Sequence, residues 1–305
     1  MRIGAMLNYG SGATPASSLD PLVEEVRGLE ARGLHTAWVP HVFGLDALSA
    51  LTAVGRLTER IELGTSVVPT YPRHPAAMAQ QALTVQIASG GGRFSLGIGL
   101  SHKPLIEDMF GLSFERPVRH MREYLEILAP ALRGEPVDYR GEVFRYRGRL
   151  AFDTPPVPLL VAALGEQMLR LCGRLADGTV TWMVGIRTLE NFTIPTLAAS
   201  ARTHDRPEPR IVAGMPVFLT HDLDATRERL AGLVERYGAM PSYRAMLERE
   251  GARGPEDIAL IGDEPALRAG LARLRDIGVT DLMASLPSKR DPAYARTLDL
   301  LQSHL

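Results

Sequence analysis

The sequence predicts an α/β fold, a closed (β/α)8 TIM barrel with an insertion between strands 4 and 5. Short apolar segments alternate with segments of helical period along nearly the whole chain, the pattern of parallel strands joined by crossover helices. The strand segments are near-continuous apolar runs, as strands covered on both faces are. Eight such units fit comfortably in 305 residues, and an eight-fold count favours closure over an open doubly wound sheet.

The first strand is residues 2–7, and the helix behind it, residues 19–32, stops at Gly33, a residue suited to the left-handed end of a helix. Residues 36–39 form the second strand, followed by a helix over 47–57. The third strand covers 61–67 and its helix 75–88, where Pro75 suits a first turn whose N–H has no helical partner. Residues 94–98 are the fourth strand. The fifth, 159–162, leads into a helix ending at Leu175, and the sixth, 179–182, into a helix over 189–201. The seventh, 211–219, is followed by a polar amphipathic helix, and the eighth, 281–285, follows a helix over 265–277. The insertion occupies residues 105–155, with a helix over 118–132 and a β-hairpin turning at Arg140-Gly141. An excursion of this kind on a barrel reads as a lid or interface element. No internal repeat or low-complexity linker divides the chain, so residues 1–305 read as one domain.

Apolar residues make up 45% and charged residues 23%, the profile of a globular protein with a large core. A net charge of −1 without a basic tract argues against nucleic acid or an anionic membrane as partner. No apolar run reaches transmembrane length and no charged leader precedes the first strand, which, with a single cysteine, leads to the expectation of a cytoplasmic protein. That cysteine, Cys172, lies in a helical pattern and reads as core packing.

Barrels of this kind bind ligands on the loops that leave the C-terminal ends of their strands. Gly64–Pro75 and Gly91–Pro104 are two such loops, each joining an apolar strand to a polar, Gly- and Pro-punctuated stretch. Within the second, Gly97-Ile-Gly-Leu100-Ser101-His102 has two glycines, Gly97 and Gly99, but lacks the third glycine and the acid of a dinucleotide fingerprint. The pair is expected to let a flat ligand approach the backbone. The segment Ala162-Ala163-Leu164-Gly165-Glu166-Gln167-Met168 passes from strand to helix in a few residues. It is either an anion site built from free N–H groups or an empty turn at Gly165.

His41 follows the second strand and reads as a structural hydrogen-bonder or as a catalyst at the mouth. Arg73 would meet an anionic ligand or a neighbouring carboxylate. Trp182 would stack on a planar ring or pack in the core. Glu115, Arg116 and Arg119 look like a solvated helix start. His74 and His102 have no carboxylate at ligand spacing, so no metal is expected, and without a Gly-x-Ser-x-Gly elbow hydrolase chemistry has no local support.

Taken together these segments resemble the luciferase-like monooxygenase superfamily, and within it the coenzyme F420-dependent oxidoreductases. The resemblance is carried by Trp38-Val-Pro-His41, Gly64-Thr-Ser-Val67 with Tyr71-Pro-Arg-His-Pro75, Ala79-Gln-Gln-Ala82, Ser89-Gly-Gly-Gly-Arg-Phe94 and Gly97–His102. Further along it continues through Ala176-Asp-Gly-Thr179, Leu260-Ile-Gly-Asp263 and Ile277-Gly-Val-Thr-Asp281. It implies a bulge in the third strand with a non-proline cis peptide at Ser66-Val67, pressed against one face of the deazaflavin. It also implies that Gly97–Ser101 and Ala162–Met168 hold the ribityl-phosphate part, and that His41 assists proton or hydride movement. The sugar-phosphate dehydrogenase members have an acid where this chain has Leu100, and an acidic residue before the histidine where it has Pro40, so that substrate is not assigned. The expected function is F420-dependent hydride transfer to or from a small-molecule substrate, with residues 105–153 helping to close the site and a homodimer implied by the resemblance. FMN-dependent monooxygenation is the second reading, and a barrel that binds a flavin-like ligand without turnover is the third.

Overall fold

The computed structural model describes residues 1–7, 17–41 and 43–305, with the side chain of Arg236 left out. The strands are β1 (Arg2–Met6), β2 (Thr36–Val39), β3 (Glu62–Thr65), β4 (Val68–Pro69), β5 (Phe94–Gly99), β6 (Val137–Arg140), β7 (Arg145–Gly148), β8 (Leu159–Val161), β9 (Gly178–Trp182), β10 (Arg210–Leu219), β11 (Leu260–Gly262) and β12 (Asp281–Ser285). Eight of them, β1, β2, β3, β5, β8, β9, β10 and β12, pair in parallel in that order, and β12 pairs back with β1 to close the barrel. The helices are α1 (Asp20–Ala31), α2 (Ala47–Arg56), α3 (Pro75–Ala88), α4 (Pro117–Leu132), α5 (Glu166–Leu175), α6 (Ile186–Thr188), α7 (Ile194–Thr203), α8 (Leu223–Gly238), α9 (Pro241–Glu250), α10 (Glu264–Asp276) and α11 (Ala293–Gln302).

Four details differ from the sequence expectation. The third strand does not run unbroken to Val67; it stops at Thr65 and resumes as β4. The insertion's hairpin does not turn tightly at Arg140-Gly141. Residues 141–144 form a wider loop, because the Glu123 carboxylate on α4 accepts the N–H groups of Glu142, Val143 and Phe144 at 3.2, 2.8 and 3.1 Å. Gly141 permits that approach, since a Cβ there would lie 2.1 Å from a Glu123 oxygen. The single polar helix after the seventh strand is two helices, α8 and α9, followed by the extra strand β11. The helix after the sixth strand begins earlier, at Ile186, and is interrupted by one π-helical turn over Leu189–Thr193. Cys172 is fully buried, as expected of a packing residue.

The barrel interior is built in layers. At the N-terminal ends of the strands sits an ionic plug. Arg210 donates to both Asp281 oxygens at 2.9 and 2.6 Å, to Glu62 at 2.7 Å and to the Ser95 hydroxyl at 2.9 Å. Arg2 closes the other side of Glu62 at 2.5 Å. Above the plug lie Trp38, Leu160, Val180, Val212 and Met283. Trp38 is 0% exposed and fits only because Gly64 faces it: a Cβ at 64 would come within 2.2 Å of the indole ring. The Arg210 guanidinium stands 5.6 Å from the Trp38 ring centroid, joining the two layers.

Removing one partner of a buried ion cluster leaves the rest charged and unpaired. Arg210→Met is therefore expected to lower unfolding free energy by about 3–5 kcal/mol, read from urea denaturation midpoints. A loss indistinguishable from that of a surface Arg→Met control would contradict the assignment.

Candidate active site

The top interior layer is Met6, Val67 and Trp182, each only partly buried and each packed on the Trp38 layer. These three side chains make an apolar floor at the C-terminal mouth of the barrel. Val67 belongs to a bulge. Gly64 pairs with Ser95 and Val68 with Ile98, so four steps on the bulged strand match three on β5. The Ser66-Val67 peptide is cis, as the resemblance implies. The extra residue leaves both Ser66 and Val67 half-buried where a regular strand would send one outward.

The two glycines of β5 serve this bulge directly. A Cβ on Gly97 would meet the Thr65 carbonyl oxygen at 2.0 Å, and one on Gly99 would meet a Val67 methyl at 2.7 Å. The space above them is filled by the bulge, which corrects the expectation that they bring backbone close to a ligand. Beyond β5 the chain turns at Ser101, a non-glycine residue with φ of +62°. Leu100, Ser101 and His102 are all half-buried there.

Across the mouth, Ala162 is half-buried and Leu164 packs against the core, while Ala163 and Met168 are buried. Gly165 caps α5 without a side-chain hydrogen bond, and Gly165, Glu166 and Gln167 are exposed. The first turn of α5 is therefore exposed, though the Glu166 carboxylate lies in it, paired with Arg170 at 2.6 Å.

His41 leaves β2 at the mouth with 17% of its side chain exposed. Its Nδ1 accepts the Ala47 N–H at 3.2 Å, at the start of α2. Asp46 is the N-cap of that helix: one carboxylate oxygen takes the Ser49 N–H at 2.8 Å and the other is bonded by Arg73. Of the two readings open for Arg73, the neighbouring carboxylate is the one found. Burial first, then the Arg73 charge, holds the His41 imidazolium below the usual histidine range, with Asp46 pulling the other way.

Two aromatic walls rise on the excursions from the barrel, and the second of them touches the floor at Trp182. One ties the insertion to the bulged strand. Tyr71 stacks on Phe114 at 5.2 Å and on His120 at 3.8 Å between ring centroids, and Phe144 meets His120 edge-on at 5.1 Å. His120 also shares a hydrogen bond with the Thr70 hydroxyl at 3.0 Å. The other wall comes from α8 and α9. Tyr237 meets Trp182 at 6.1 Å and Tyr243 at 5.0 Å, and Tyr243 lies 5.9 Å from His102. The sequence reading missed this second wall; its signal was the apolar set Val234, Tyr237, Met240, Tyr243, Met246 and Leu247 inside an otherwise polar stretch. Trp182 is thus neither simple core nor a free platform, but the junction of floor and wall.

His74 caps α3, its Nδ1 accepting the Ala76 N–H at 3.2 Å, and among the described residues no cluster of metal-ligating side chains exists. Arg116 and Arg119 pair with Glu142 of the hairpin, so this helix start is an ion-paired one. A polar cleft at the opposite end of the barrel, lined by Arg2, Glu30, His35 and Arg93 among others, has its charges spent on structure. Glu30 accepts three backbone N–H groups there and Arg93 donates to three carbonyls.

Among the described residues, Ser66 Oγ and Trp182 Nε1 beside the floor are buried without partners. Such orphans above or beside an apolar floor fit a planar ligand with polar edge atoms, and a flavin or deazaflavin ring has that character.

His120 also generates a pH prediction. Burial lowers its pKa to about 4, with Glu123 opposing the shift. Between about 6.5 and about 4 the unfolded chain binds the proton and the folded one does not, so stability falls as pH drops through that window. Urea midpoints measured from pH 7 downward should fall more steeply for the wild type than for His120→Phe, which keeps the ring stack and lacks the titration.

Comparisons with known proteins agree with this architecture. The family model described as "Luciferase-like monooxygenase" matches residues 1–281. A 5,10-methylenetetrahydromethanopterin reductase of Methanolobus tindarius is 25% identical over 311 aligned residues, covering 92% of this chain and 94% of the relative. The solved structure of the coenzyme F420-dependent tetrahydromethanopterin reductase from Methanopyrus kandleri superimposes with a TM-score of 0.79 at 21% identity, covering 100% of this chain and 98% of that one. The oxygenating constituent of 3,6-diketocamphane monooxygenase from Pseudomonas putida, in complex with FMN, gives 0.76 at 16% identity, covering 99% and 97%.

Proposed function

The chain belongs to the luciferase-like monooxygenase family, and from that premise we propose that it is an oxidoreductase that binds coenzyme F420 across the barrel mouth and passes a hydride between the deazaflavin and a small organic substrate. The observation that carries this reading is the apolar floor of Met6, Val67 and Trp182 beside the orphaned Ser66 Oγ and Trp182 Nε1. A relative from Mycobacterium avium named F420-dependent glucose-6-phosphate dehydrogenase, 32% identical over 67% of this chain, supports the deazaflavin over FMN.

When bound, the deazaflavin supplies a carbon centre that gives or takes a hydride. The residues do the rest. Ser66 and Val67 support one ring face, and Trp182 closes an edge. Gly97 and Gly99 keep Val67 in place from below, while Leu100, Ser101 and His102 border the stem together with the segment Ala162, Ala163, Leu164, Gly165, Glu166, Gln167 and Met168. In that segment the exposed first turn of α5 suits an anion. The two aromatic walls limit water at the reacting carbon. His41 stands at the mouth to hydrogen-bond the substrate. Leu100 offers no acid there, so the reaction works through positioning and one hydrogen bond, not through a carboxylate proton donor.

The decisive experiment is titration of the purified protein with oxidised F420 and with FMN, followed by a substrate screen on whichever binds. F420 is expected to bind at least about tenfold more tightly, a difference of about 1.4 kcal/mol; tighter FMN binding with oxygen consumption would replace this reading with flavin-dependent monooxygenation. Gly99→Ala displaces Val67 and should weaken F420 binding while the far-ultraviolet circular dichroism stays unchanged. His41→Ala should bind F420 normally and lose about a hundredfold in turnover; unchanged turnover would remove His41 from the chemistry.

A further inference from the structure

His41, Asp46 and Arg73 come from three places in the fold: the end of β2, the cap of α2 and the loop after β4. A backbone N–H can only donate, so the Ala47 N–H, 3.2 Å from Nδ1, requires a lone pair on that nitrogen. The ring proton then sits on Nε2, which has no protein partner among the described residues. Among the described residues, Asp46 is the one carboxylate close enough to stabilise a second ring proton, its Oδ2 being 3.8 Å from Nδ1. Both its oxygens are already engaged, one by the Ser49 N–H and the other by Arg73.

We propose that Arg73 is a positioning residue: by occupying the outer oxygen of Asp46 it denies that carboxylate to His41, so that His41 meets the substrate as a neutral imidazole donating from Nε2, and not as a proton acceptor. The proposal rests on the functional reading above for its catalytic meaning, but the protonation state is a property of the protein alone. The charged groups facing His41 among the described residues are Asp46 at the cap of α2 and Arg73 after β4; Tyr124 on α4, which feels the Arg73 charge, is a buried, neutral phenol. The start of α2 adds its positive helix end against an imidazolium. A neutral donor of this kind polarises an oxygen that gains negative charge, which is what a carbonyl or similar acceptor does on receiving a hydride. The site therefore suits substrates whose hydride-exchanging carbon bears such an oxygen, the proton on that oxygen being taken from or returned to solvent at the mouth.

The test is nitrogen-15 NMR titration of histidine-labelled protein without cofactor, with the His41 signals assigned through His41→Gln. In the wild type, Nδ1 should stay unprotonated through the ordinary histidine range. In Arg73→Gln the freed Asp46 should raise the His41 titration by about one unit or more and put a proton on Nδ1. Adding Asp46→Asn to that variant should reverse the change, and Arg73→Lys should restore the wild-type titration in part. A wild-type His41 that takes its proton on Nδ1 at or above the ordinary range overturns the proposal without any variant, as does an Arg73→Gln protein, folded by the same spectra, whose His41 titrates unchanged. Failure of F420 to bind while the titrations behave as expected would refute the cofactor reading and leave the Arg73 lock standing.

Discussion

The structure depends on how its barrel is filled from below. Closing eight parallel strands brings the first residues of β1, β3, β10 and β12 toward one axis, and four of them are charged: Arg2, Glu62, Arg210 and Asp281. A carboxylate as buried as Asp281, 2% exposed, persists as a charge only when it is paired and hydrogen-bonded. The Arg210 fork satisfies both carboxylates and stands against the Trp38 ring. Trp38 then fixes the height of the apolar layer above it. With bottom and middle occupied, the layer that stays only partly buried is the uppermost one, Met6, Val67 and Trp182.

The bulge in the third strand supplies part of that layer. One extra residue between β3 and β4 sets Val67 in the floor of the mouth, and the bare α-carbons of Gly97 and Gly99 let the displaced backbone settle on β5. The glycines thus act at one remove: their smallness is spent on protein packing, and the packing places Val67 in the floor. The same economy holds at the cap of α2, where Asp46 ends a helix, binds Arg73 and stands beside His41 at once.

The walls explain why the mouth is more than an open surface. Rings stacked offset or edge-on tie Tyr71 to the insertion and Trp182 to α8 and α9, so two excursions of unrelated sequence are each anchored at a strand end. The Glu123 carboxylate holds the first of them by three backbone N–H groups. Burial works to raise its pKa, and those three hydrogen bonds outweigh it, so the group remains an anion.

What the sequence determined by itself was everything that follows from short-range pattern. The eight apolar segments and the helices between them were legible from periodicity, as were the start of α3 at Pro75 and the packing role of Cys172. The mouth residues followed from their place at strand ends, and the Ser66-Val67 position from family resemblance. Tertiary structure alone decided which groups meet. Arg73 finding Asp46 beside His41, Gly99 finding Val67, and Tyr243 finding His102 are contacts between segments far apart in the chain, and no local propensity encodes them. They arise because closing the barrel brings all eight strand ends to one rim, where side chains that the sequence scatters must share a few ångströms.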